Sequence, residues 1–390
     1  MLAVALCLEH DGKWRYELLA SILFALCINT RVIGIMFPVL LLGYRLIRDW
    51  LLEGRIKANP ARWIKKDLAR YALNVLLMFG VYFLITPASW ENPLDYLKNV
   101  LVTFSNYTTW GGQVPFLDQM YPGSKLPPHY LLTWVGISVP LWYLLCMGIG
   151  LADGAKQGID HIRKRKMDGW LLGEQRYLLF CLVVAAAPLL LPFVKQVTLY
   201  NSWRHMYFVF PALVVLALFG LRAVFHRIGS GKHLRMAAAG AVCLLLMTQV
   251  GWIVINRPYE KVYFNPVGRQ VADTVDRDYW AESAVHPLEV ILENDDTDRI
   301  SISSDWIIGI TVFHFLPEEQ SNRFYVYYNG AQDVDYFIDS ADTVDPQTFD
   351  GYTPVYEHRM KDGLVLSTIL IRDDLLQSRF GGVYPANNLD

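Results

Sequence analysis

The sequence predicts a polytopic α-helical membrane protein that carries an α/β domain at its C-terminus. Of its 390 residues, 53% are apolar and 14% are aromatic, and the mean hydropathy is +0.24, which is above the range of an ordinary soluble domain. A bilayer core of about 30 Å needs about 20 apolar residues in helix. Several runs before residue 256 reach or approach that length, whereas later residues alternate between apolar and polar types.

The charge of the chain changes at the same point. Residues 256–390 hold 24 acidic against 10 basic residues, a net charge of -14, whereas residues 1–255 have a net charge of +12. We therefore predict a transmembrane helical domain over 1–255, with an outer loop at 87–129, and an α/β domain over 256–390. The acidic second domain argues against nucleic-acid binding, which needs basic patches. All five cysteines lie in apolar runs of the first domain, which is typical of small core residues and not of a disulfide framework.

The first residues, 1–8, form a short apolar run that is followed by Glu9 and Asp11 and preceded by no basic region. This pattern is too short and has the wrong flanks for a signal peptide. We expect the front of a longer membrane protein to be missing. The alternative is a short cytoplasmic lead-in.

Seven membrane crossings follow from the apolar runs. They are residues 18–29, 32–47, 71–86, 130–150, 177–199, 207–221 and 236–255. The first run is only about 12 residues, or roughly 18 Å of helix, so it would have to end inside a cavity. Arg31, directly after it, is therefore a candidate site cation, although a tie between helices or a snorkelling side chain would explain it as well.

The distribution of basic residues predicts the orientation of the crossings. Loops 48–70, 151–176 and 222–235 are rich in Lys and Arg, whereas loop 87–129 contains only Lys98 and Lys125. Basic loops favour the cytoplasmic side. We expect a multi-pass protein of the cell membrane whose loop 87–129, residues 200–206 and C-terminal domain are extracytoplasmic.

The segment 200–211 contains Tyr200, Trp203, Arg204 and His205 between two apolar runs. Charged groups at membrane depth usually face a protein interior or a wet cavity, which raises a functional hypothesis. An interfacial anchor is the alternative, with the aromatic rings at headgroup level and Arg204 snorkelling to water. The residues alone leave both interpretations open.

After residue 256, the period of the apolar residues predicts short elements. We expect helices at 281–294 and 306–315 and strands at 299–304, 324–328, 336–338, 355–359 and 364–372, which is typical of a small α/β domain. In the outer loop, residues 96–104 predict an amphipathic helix. Asp333 and Asp335 are expected to be solvated carboxylates, and no metal or cofactor is expected. The sequence has no nucleophile-base motif, no phosphate-binding glycine loop and no Cys/His cluster.

Several motifs together resemble the C-terminal half of bacterial GT-C membrane glycosyltransferases that use polyprenyl-phosphate sugars. These motifs are Trp90-Glu-Asn-Pro93, Gly111-Gly112, residues 126–130, the segment 200–211, and residues 257–266 followed by Asp278-Tyr279-Trp280. The family is related to protein O-mannosyltransferases and to the aminoarabinose transferase of lipid A. The resemblance covers roughly residues 18–372. It implies transfer of a sugar from a polyprenyl-phosphate-linked donor to a protein, lipid or glycan acceptor at the outer face of the membrane.

The resemblance also implies roles for individual residues. Arg204, with His205 beside it, would bind the donor phosphate, with Arg31 as the second choice, because a guanidinium suits phosphate by bidentate donation. Tyr200 and Trp203 would line the substrate cavity or anchor the helix end. In the family a carboxylate of the first outer loop acts as general base while cations stabilise the leaving phosphate.

No residue of this chain matches the family's catalytic carboxylate, so the catalytic residue stays unassigned and the activity of this chain alone is uncertain. The expected partners are the polyprenyl-phosphate sugar donor, membrane lipid and an acceptor of unknown type, with no nucleic acid. Two alternatives remain, a transporter or flippase of lipid-linked saccharides and a noncatalytic membrane subunit.

Overall fold

The computed structural model describes residues 1–105, 110–164, 167–195, 197–229, 231–280, 282–304, 315–327, 333–340 and 350–385. Two compact units divide the chain. The first consists of Met1–Trp110, Trp142–Thr198 and His205–Arg235, and the second of Gly111–Leu141, Leu199–Arg204 and Met236–Asp390. The chain thus passes between the units several times, and the predicted domain boundary at residue 256 stays a prediction.

Most of the described chain is helical. In chain order, the α-helices are α1 (Leu2–Glu9), α2 (Trp14–Thr30), α3 (Met36–Ile47), α4 (Arg55–Ala58), α5 (Pro60–Trp63), α6 (Ala69–Leu84), α7 (Pro93–Ser105), α8 (Tyr130–Ser138), α9 (Leu141–Arg163), α10 (Met167–Leu172), α11 (Gln175–Lys195), α12 (Phe210–Ile228), α13 (Lys232–Ile255), α14 (Val285–Asn294), α15 (Glu318–Ser321) and α16 (Asp373–Phe380). A 3-10 helix, Arg204–Val209, leads directly into α12. Helix α7 confirms the helix predicted at 96–104.

Within the described residues, four helices are long and apolar enough to cross a membrane. They are Pro60–Leu84, Gln175–Val194, Arg204–Ile228 and Lys232–Ile255, and a fifth span results if the bent pair α8 and α9 counts as one crossing. These helices are consistent with a multi-pass membrane protein, but seven crossings are not confirmed. The reason is length, because α2 has 17 residues and α3 has 12, against about 20 for a full span.

The run predicted at 130–150 forms two helices in place of one. Helix α8 ends at Ser138, and Val139 adopts an extended conformation with φ -96° and ψ 135° before the chain continues into α9. Val139 precedes Pro140, whose ring disfavours helical backbone at the residue before it. The proline therefore accounts for the break.

Glycines bring α9 and α12 of the first unit into backbone contact. A Cβ on Gly220 would overlap the carbonyl group of Cys146, and a Cβ on Gly150 would lie 2.5 Å from the carbonyl oxygen of Leu216. Small residues allow membrane helices to approach closely, and close packing contributes much of their association. The close contact between α9 and α12 thus requires glycine at positions 150 and 220.

Gly220→Ala should therefore destabilise the first unit, because the new methyl group has no room without moving α9 and α12 apart. Overpacking of this kind costs about 1–3 kcal/mol. Gly148→Ala is the matched control, since Gly148 also lies on α9 and a Cβ there would meet no described neighbouring atom within 4 Å. We expect a lower melting temperature in detergent for Gly220→Ala and no loss for Gly148→Ala. Equal melting temperatures would contradict the close contact.

The second unit contains a hairpin and a sheet. The hairpin joins β1 (Gln113–Phe116) to β2 (Gln119–Pro122) through Leu117 and Asp118, which have φ of 52° and 60°. Positive φ at both turn residues is the geometry of a type I′ turn, which fits the twist of a two-residue hairpin.

The sheet consists of β3 (Ile300–Ser304), β4 (Phe324–Tyr327), β5 (Tyr336–Ser340), β6 (Tyr352–Arg359) and β7 (Val365–Arg372), in the order β4-β3-β5-β7-β6. Strand β3 is parallel to β4 and β5, whereas β7 is antiparallel to β5 and β6. The predicted strands and the helix ending at Asn294 are confirmed to within a few residues. The helix predicted at 306–315 lies, except for its last residue, outside the described residues.

The core of this sheet comes from residues 284–384 alone. Leu288 and Ile291 of α14, Ile300 of β3 and Ile369 of β7 are each 0% exposed. Burial of one such side chain contributes about 1.5–3 kcal/mol. The C-terminal residues therefore supply their own hydrophobic core.

Candidate functional site

The guanidinium of Arg204 in the second unit lies among three aromatic rings. Its Cζ is 4.8 Å from the ring centroid of Tyr200, 5.2 Å from that of Tyr279 and 5.0 Å from that of Trp280. The side chain is half-buried. No carboxylate oxygen of the described residues lies within 4.0 Å of it. We call these four residues the Arg204 cage, in which the cation is held by ring faces and not by an opposite charge.

A left-handed turn before the cage directs the side chains that follow. Asn201 and Ser202 have φ of 56° and 61°, a region that non-glycine residues rarely adopt, and both are buried. The Tyr130 hydroxyl donates to the Ser202 carbonyl oxygen at 3.3 Å. The Trp203 Nε1–H donates to Ser138 Oγ at 2.9 Å, and its side chain is 5% exposed. Trp203 thus packs towards α8, while the side chain of Arg204 lies among the rings of the cage.

Asp278 fixes the backbone that carries Tyr279 and Trp280. Its carboxylate is 0% exposed and accepts hydrogen bonds from the backbone N–H of Glu282 at 3.2 Å and of Ser283 at 2.8 Å. The ammonium of Lys261 lies 2.7 Å from the same carboxylate. Two backbone donors and an ion pair with Lys261 therefore compensate a buried charge that would otherwise be costly. Asp278 acts as a structural support of the cage.

Asn265 joins residues 257–266 to the end of α8. Its Nδ2 donates to the carbonyl oxygens of Gly136 at 2.6 Å and Val139 at 2.8 Å. Its Oδ1 accepts from the N–H groups of Val267 at 3.0 Å and Gly268 at 2.9 Å. All four hydrogen-bonding positions of the amide are used, and two are used by carbonyls at a helix end that lacks intrahelical donors.

Residues 111–130 contribute their own packing to this unit. Phe116 of β1 is 1% exposed, and its ring centroid lies 4.9 Å from that of Tyr130 and 5.7 Å from that of His129. Phe116 also forms an isolated antiparallel bridge with Val275. The residues at 126–130 that carry part of the resemblance therefore support the first turn of α8.

The structure brings Arg204 and Tyr200 together but not every predicted site residue. Trp203 lies outside the cage, against α8. His205 follows Arg204 in the chain and is half-buried, but it belongs to the first unit. Arg31 also belongs to the first unit, where it is exposed and its backbone N–H donates to the Cys27 carbonyl oxygen at 3.1 Å at the end of α2. The assignment of phosphate binding to these residues stays a prediction.

Sequence reasoning does not assign Tyr279 and Trp280 to the site. Their signal is weak, because they stand out only as part of a motif that resembles the glycosyltransferase family. They reach Arg204 through the tertiary fold of the second unit, which no local pattern encodes.

Of the acidic pair expected to be solvated, Asp333 is exposed, whereas Asp335 is half-buried and has a structural role. Asp335 Oδ2 accepts a hydrogen bond from the Ser301 N–H at 3.0 Å, and its carboxylate lies 3.9 Å from Arg372. Among the described residues, no group of three or more His, Cys, Asp or Glu side chains is arranged to hold a metal ion.

Two histidines pack together near the support of the cage. His358 Nε2 and the Tyr259 hydroxyl are hydrogen-bonded at 3.0 Å, and the rings of His286 and His358 are 4.5 Å apart. Burial, and then the neighbouring His286, lower the pKa of His358 to about 4, while Asp278 acts in the opposite direction. Burial also raises the pKa of Tyr259 to about 12. Both partners of this hydrogen bond are therefore neutral near pH 7.

The second unit should lose stability in mild acid. His358 has a folded pKa of about 4 against an ordinary value of 6.5, so the unfolded chain binds more protons between these values. The free energy of unfolding that depends on neutral His358 is therefore highest above pH 6.5 and decreases as the pH falls towards 4. We expect amide hydrogen exchange of β6, corrected for its intrinsic rate, to be faster at about pH 5 than at about pH 7.5.

His358→Gln should remove most of this dependence on pH, because glutamine does not titrate and can still hydrogen-bond to Tyr259. His233→Gln changes an exposed histidine at the start of α13 and should leave the dependence intact. If His358→Gln retained the full acid sensitivity of the wild type, another group would be responsible.

The chain is thus mostly helical, with four or five helices apolar enough to cross a membrane within its described residues, and its second unit presents an arginine bounded by aromatic rings. Comparison of the chain with protein-family models, with curated proteins and with solved structures gave no match.

Proposed function

We propose that the chain is part of a membrane glycosyltransferase that moves a sugar from a polyprenyl-phosphate-linked donor to an acceptor at the outer face of the membrane. The observation that carries the proposal is the Arg204 cage. Its guanidinium lies near three aromatic rings, and no described carboxylate pairs with it.

An anion is the ligand that this arrangement favours. A half-buried guanidinium has five N–H donors and no acceptor capacity. Ring faces contribute about 0.5–2 kcal/mol through cation–π attraction, but they accept few hydrogen bonds. Two oxygens of a phosphate can accept hydrogen bonds from the planar fork of the guanidinium at the same time. The rings would hold Arg204 in position, and the phosphate would complete its hydrogen bonding.

The surroundings of Arg204 favour a phosphate that carries a sugar and a lipid. Trp280 is 55% exposed beside the guanidinium, so its ring face is accessible for stacking against a sugar. Arg204 is the first residue of the apolar span Arg204–Ile228, and a polyprenyl chain requires an apolar surface of this kind. In this proposal Tyr200 shares the stacking role and His205 assists Arg204, while Arg31 of the first unit stays a separate candidate for phosphate binding.

A transporter of lipid-linked saccharides is the second candidate function. The contacts of Asp278 are compatible with it. This carboxylate supports the cage and is engaged by two backbone donors and Lys261, so it is poorly suited to act as a general base. A transporter would need the same phosphate recognition and no base. Transfer of labelled sugar to an acceptor separates the two functions, because a transporter would bind the donor without cleaving it.

The proposal includes the orientation predicted from the basic loops, with seven crossings and the tail outside. In a variant without native cysteines, Lys361→Cys in the tail should react with a membrane-impermeant maleimide in intact cells. Lys57→Cys in α4 should react only after permeabilisation, although both positions are exposed. The opposite pattern would place the tail in the cytoplasm and remove the outer-face assignment.

The role of Arg204 can be tested by binding of radiolabelled polyprenyl phosphate to the purified chain in nanodiscs. Arg204→Lys keeps the charge but loses the planar fork, so affinity should fall about tenfold, as expected for a charge-assisted hydrogen bond of roughly 1.5 kcal/mol. Arg204→Ala should bind more weakly still. Wild-type affinity in Arg204→Lys would support an interfacial anchor, because lysine snorkels equally well.

Arg299→Lys is the matched control for this test. Arg299 is exposed directly before β3, and its Cζ lies 5.1 Å from the ring centroid of Tyr325. The same substitution at another arginine–aromatic contact should leave polyprenyl-phosphate binding unchanged. Melting temperatures of all variants show whether a loss of binding reflects a loss of fold.

A further inference from the structure

A polar cavity of about 410 Å³ lies in the first unit, at one end of α9, α11 and α12. Its polar lining consists of Asp153, Gln157, Gln175, Arg222, His226 and Arg227. Gln175 begins α11, and the arginines lie in the last turns of α12. Both helices belong to the segments that are apolar enough to cross a membrane. The cavity therefore lies where an apolar helix surface changes to a charged one, which is the level of lipid headgroups.

The charges of the cavity are balanced and exposed. Arg227 Nη2 lies 3.0 Å from Asp153 Oδ1, and Arg222 contacts the carboxylate of Glu174. The side chains of Arg222, Glu174 and Arg227 are 53%, 60% and 59% exposed, whereas that of Asp153 is 27% exposed. Ion pairs this exposed contribute little to stability, so a ligand can replace them at small cost. The cavity thus offers two cations and the carboxylate of Asp153, and the carboxylate of Glu174 lies beside Arg222 at its border.

Charge balance selects the class of ligand. A simple anion would be attracted by the arginines but repelled by the carboxylates of Asp153 and Glu174. A simple cation would be attracted by the carboxylates but repelled by the arginines. A zwitterion that carries a phosphodiester and a primary ammonium can replace both ion pairs at once. Gln157 Nε2 donates to Asp153 Oδ2 at 2.7 Å and Gln157 Oε1 accepts from Gln175, so these amides hold the carboxylate in place. The oxygen of the Gln175 amide can still accept from an ammonium, and a volume of 410 Å³ is in the usual range of ligand pockets.

We infer that this cavity binds the headgroup of a phosphatidylethanolamine-type lipid. The phosphodiester lies against Arg222 and Arg227, and the ammonium lies against Asp153 and Glu174. Pockets with basic residues between membrane helices bind lipid headgroups by the same phosphate contacts. The carboxylates add selectivity for the ammonium, and the acyl chains extend along the apolar helix surfaces.

The first test varies the lipid and leaves the protein unchanged. Native mass spectrometry of the purified chain measures occupancy by phosphatidylethanolamine, its N-methylated derivatives, phosphatidylcholine and phosphatidylglycerol at equal concentrations. Occupancy should fall with each methyl group, because methylation removes ammonium donors, and should reach about a tenfold loss at phosphatidylcholine. Phosphatidylglycerol should bind less than phosphatidylethanolamine. Equal or greater occupancy by phosphatidylcholine or phosphatidylglycerol would overturn the inference.

Variants then assign the two halves of the headgroup. Asp153→Asn with Glu174→Gln should abolish the preference for phosphatidylethanolamine over phosphatidylglycerol, and Arg222→Gln with Arg227→Gln should weaken binding of both lipids. Arg235→Gln makes the same type of change at an exposed position on α13 and should change neither. A carboxamide variant that folds and keeps the full preference would overturn the inference. The methylation series decides the question even if a variant fails to fold.

A soluble ester could supply the same chemistry. Glycerophosphoethanolamine carries the identical zwitterion without acyl chains, and we expect it not to displace the bound lipid at equal concentration because the chains contribute most of the affinity. Equal displacement would assign the cavity to a soluble aminoalkyl phosphodiester and would overturn the lipid assignment.

Discussion

The cost of placing a charge among apolar helices governs how this protein uses its arginines. In the first unit, Arg45 is 2% exposed and lies 2.5 Å from Glu17 and 3.6 Å from Asp11. Arg48 lies 2.7 Å from the same Asp11 and 3.0 Å from Asp49. Removing one partner of such a buried pair costs about 3–5 kcal/mol, because the remaining charge is left uncompensated. These arginines have their acceptors within the fold.

Arg204 satisfies the same constraint in another way. The three rings of the cage position its charge without using up its hydrogen-bond donors. The carboxylate close to the cage, Asp278, is directed to Lys261 and to backbone N–H groups. Asp278 thus fixes the backbone of Tyr279 and Trp280, and their rings position the guanidinium of Arg204. This division of roles leaves the guanidinium available for an anion that none of the described residues supplies.

The sequence predicts those features that depend on local pattern. The strands and the apolar helices follow from periods of two and 3.6 residues, which neighbouring residues determine. The short lengths of α2 and α3 and the break at Val139 are visible in the sequence as a short run and a proline, but a count of seven spans disregards them. The meeting of Arg204 with Tyr279 and Trp280 depends on contacts across the chain. The turn at Asn201 and Ser202 has only a weak local signature, because asparagine is enriched at positive φ but serine is not.

The two candidate ligand sites differ in charge balance, and this difference determines what each can select. The cage has one cation and rings that contribute no net charge, so its attraction is for anions in general and shape must supply the selectivity. At the cavity beside α12, each arginine pairs with a carboxylate. A ligand must therefore carry both a negative and a positive group, so that its own ion pairs replace those that it breaks. Exposure makes the exchange inexpensive. A buried and paired arginine such as Arg45 could not exchange in this way, since its partners are fixed by the fold.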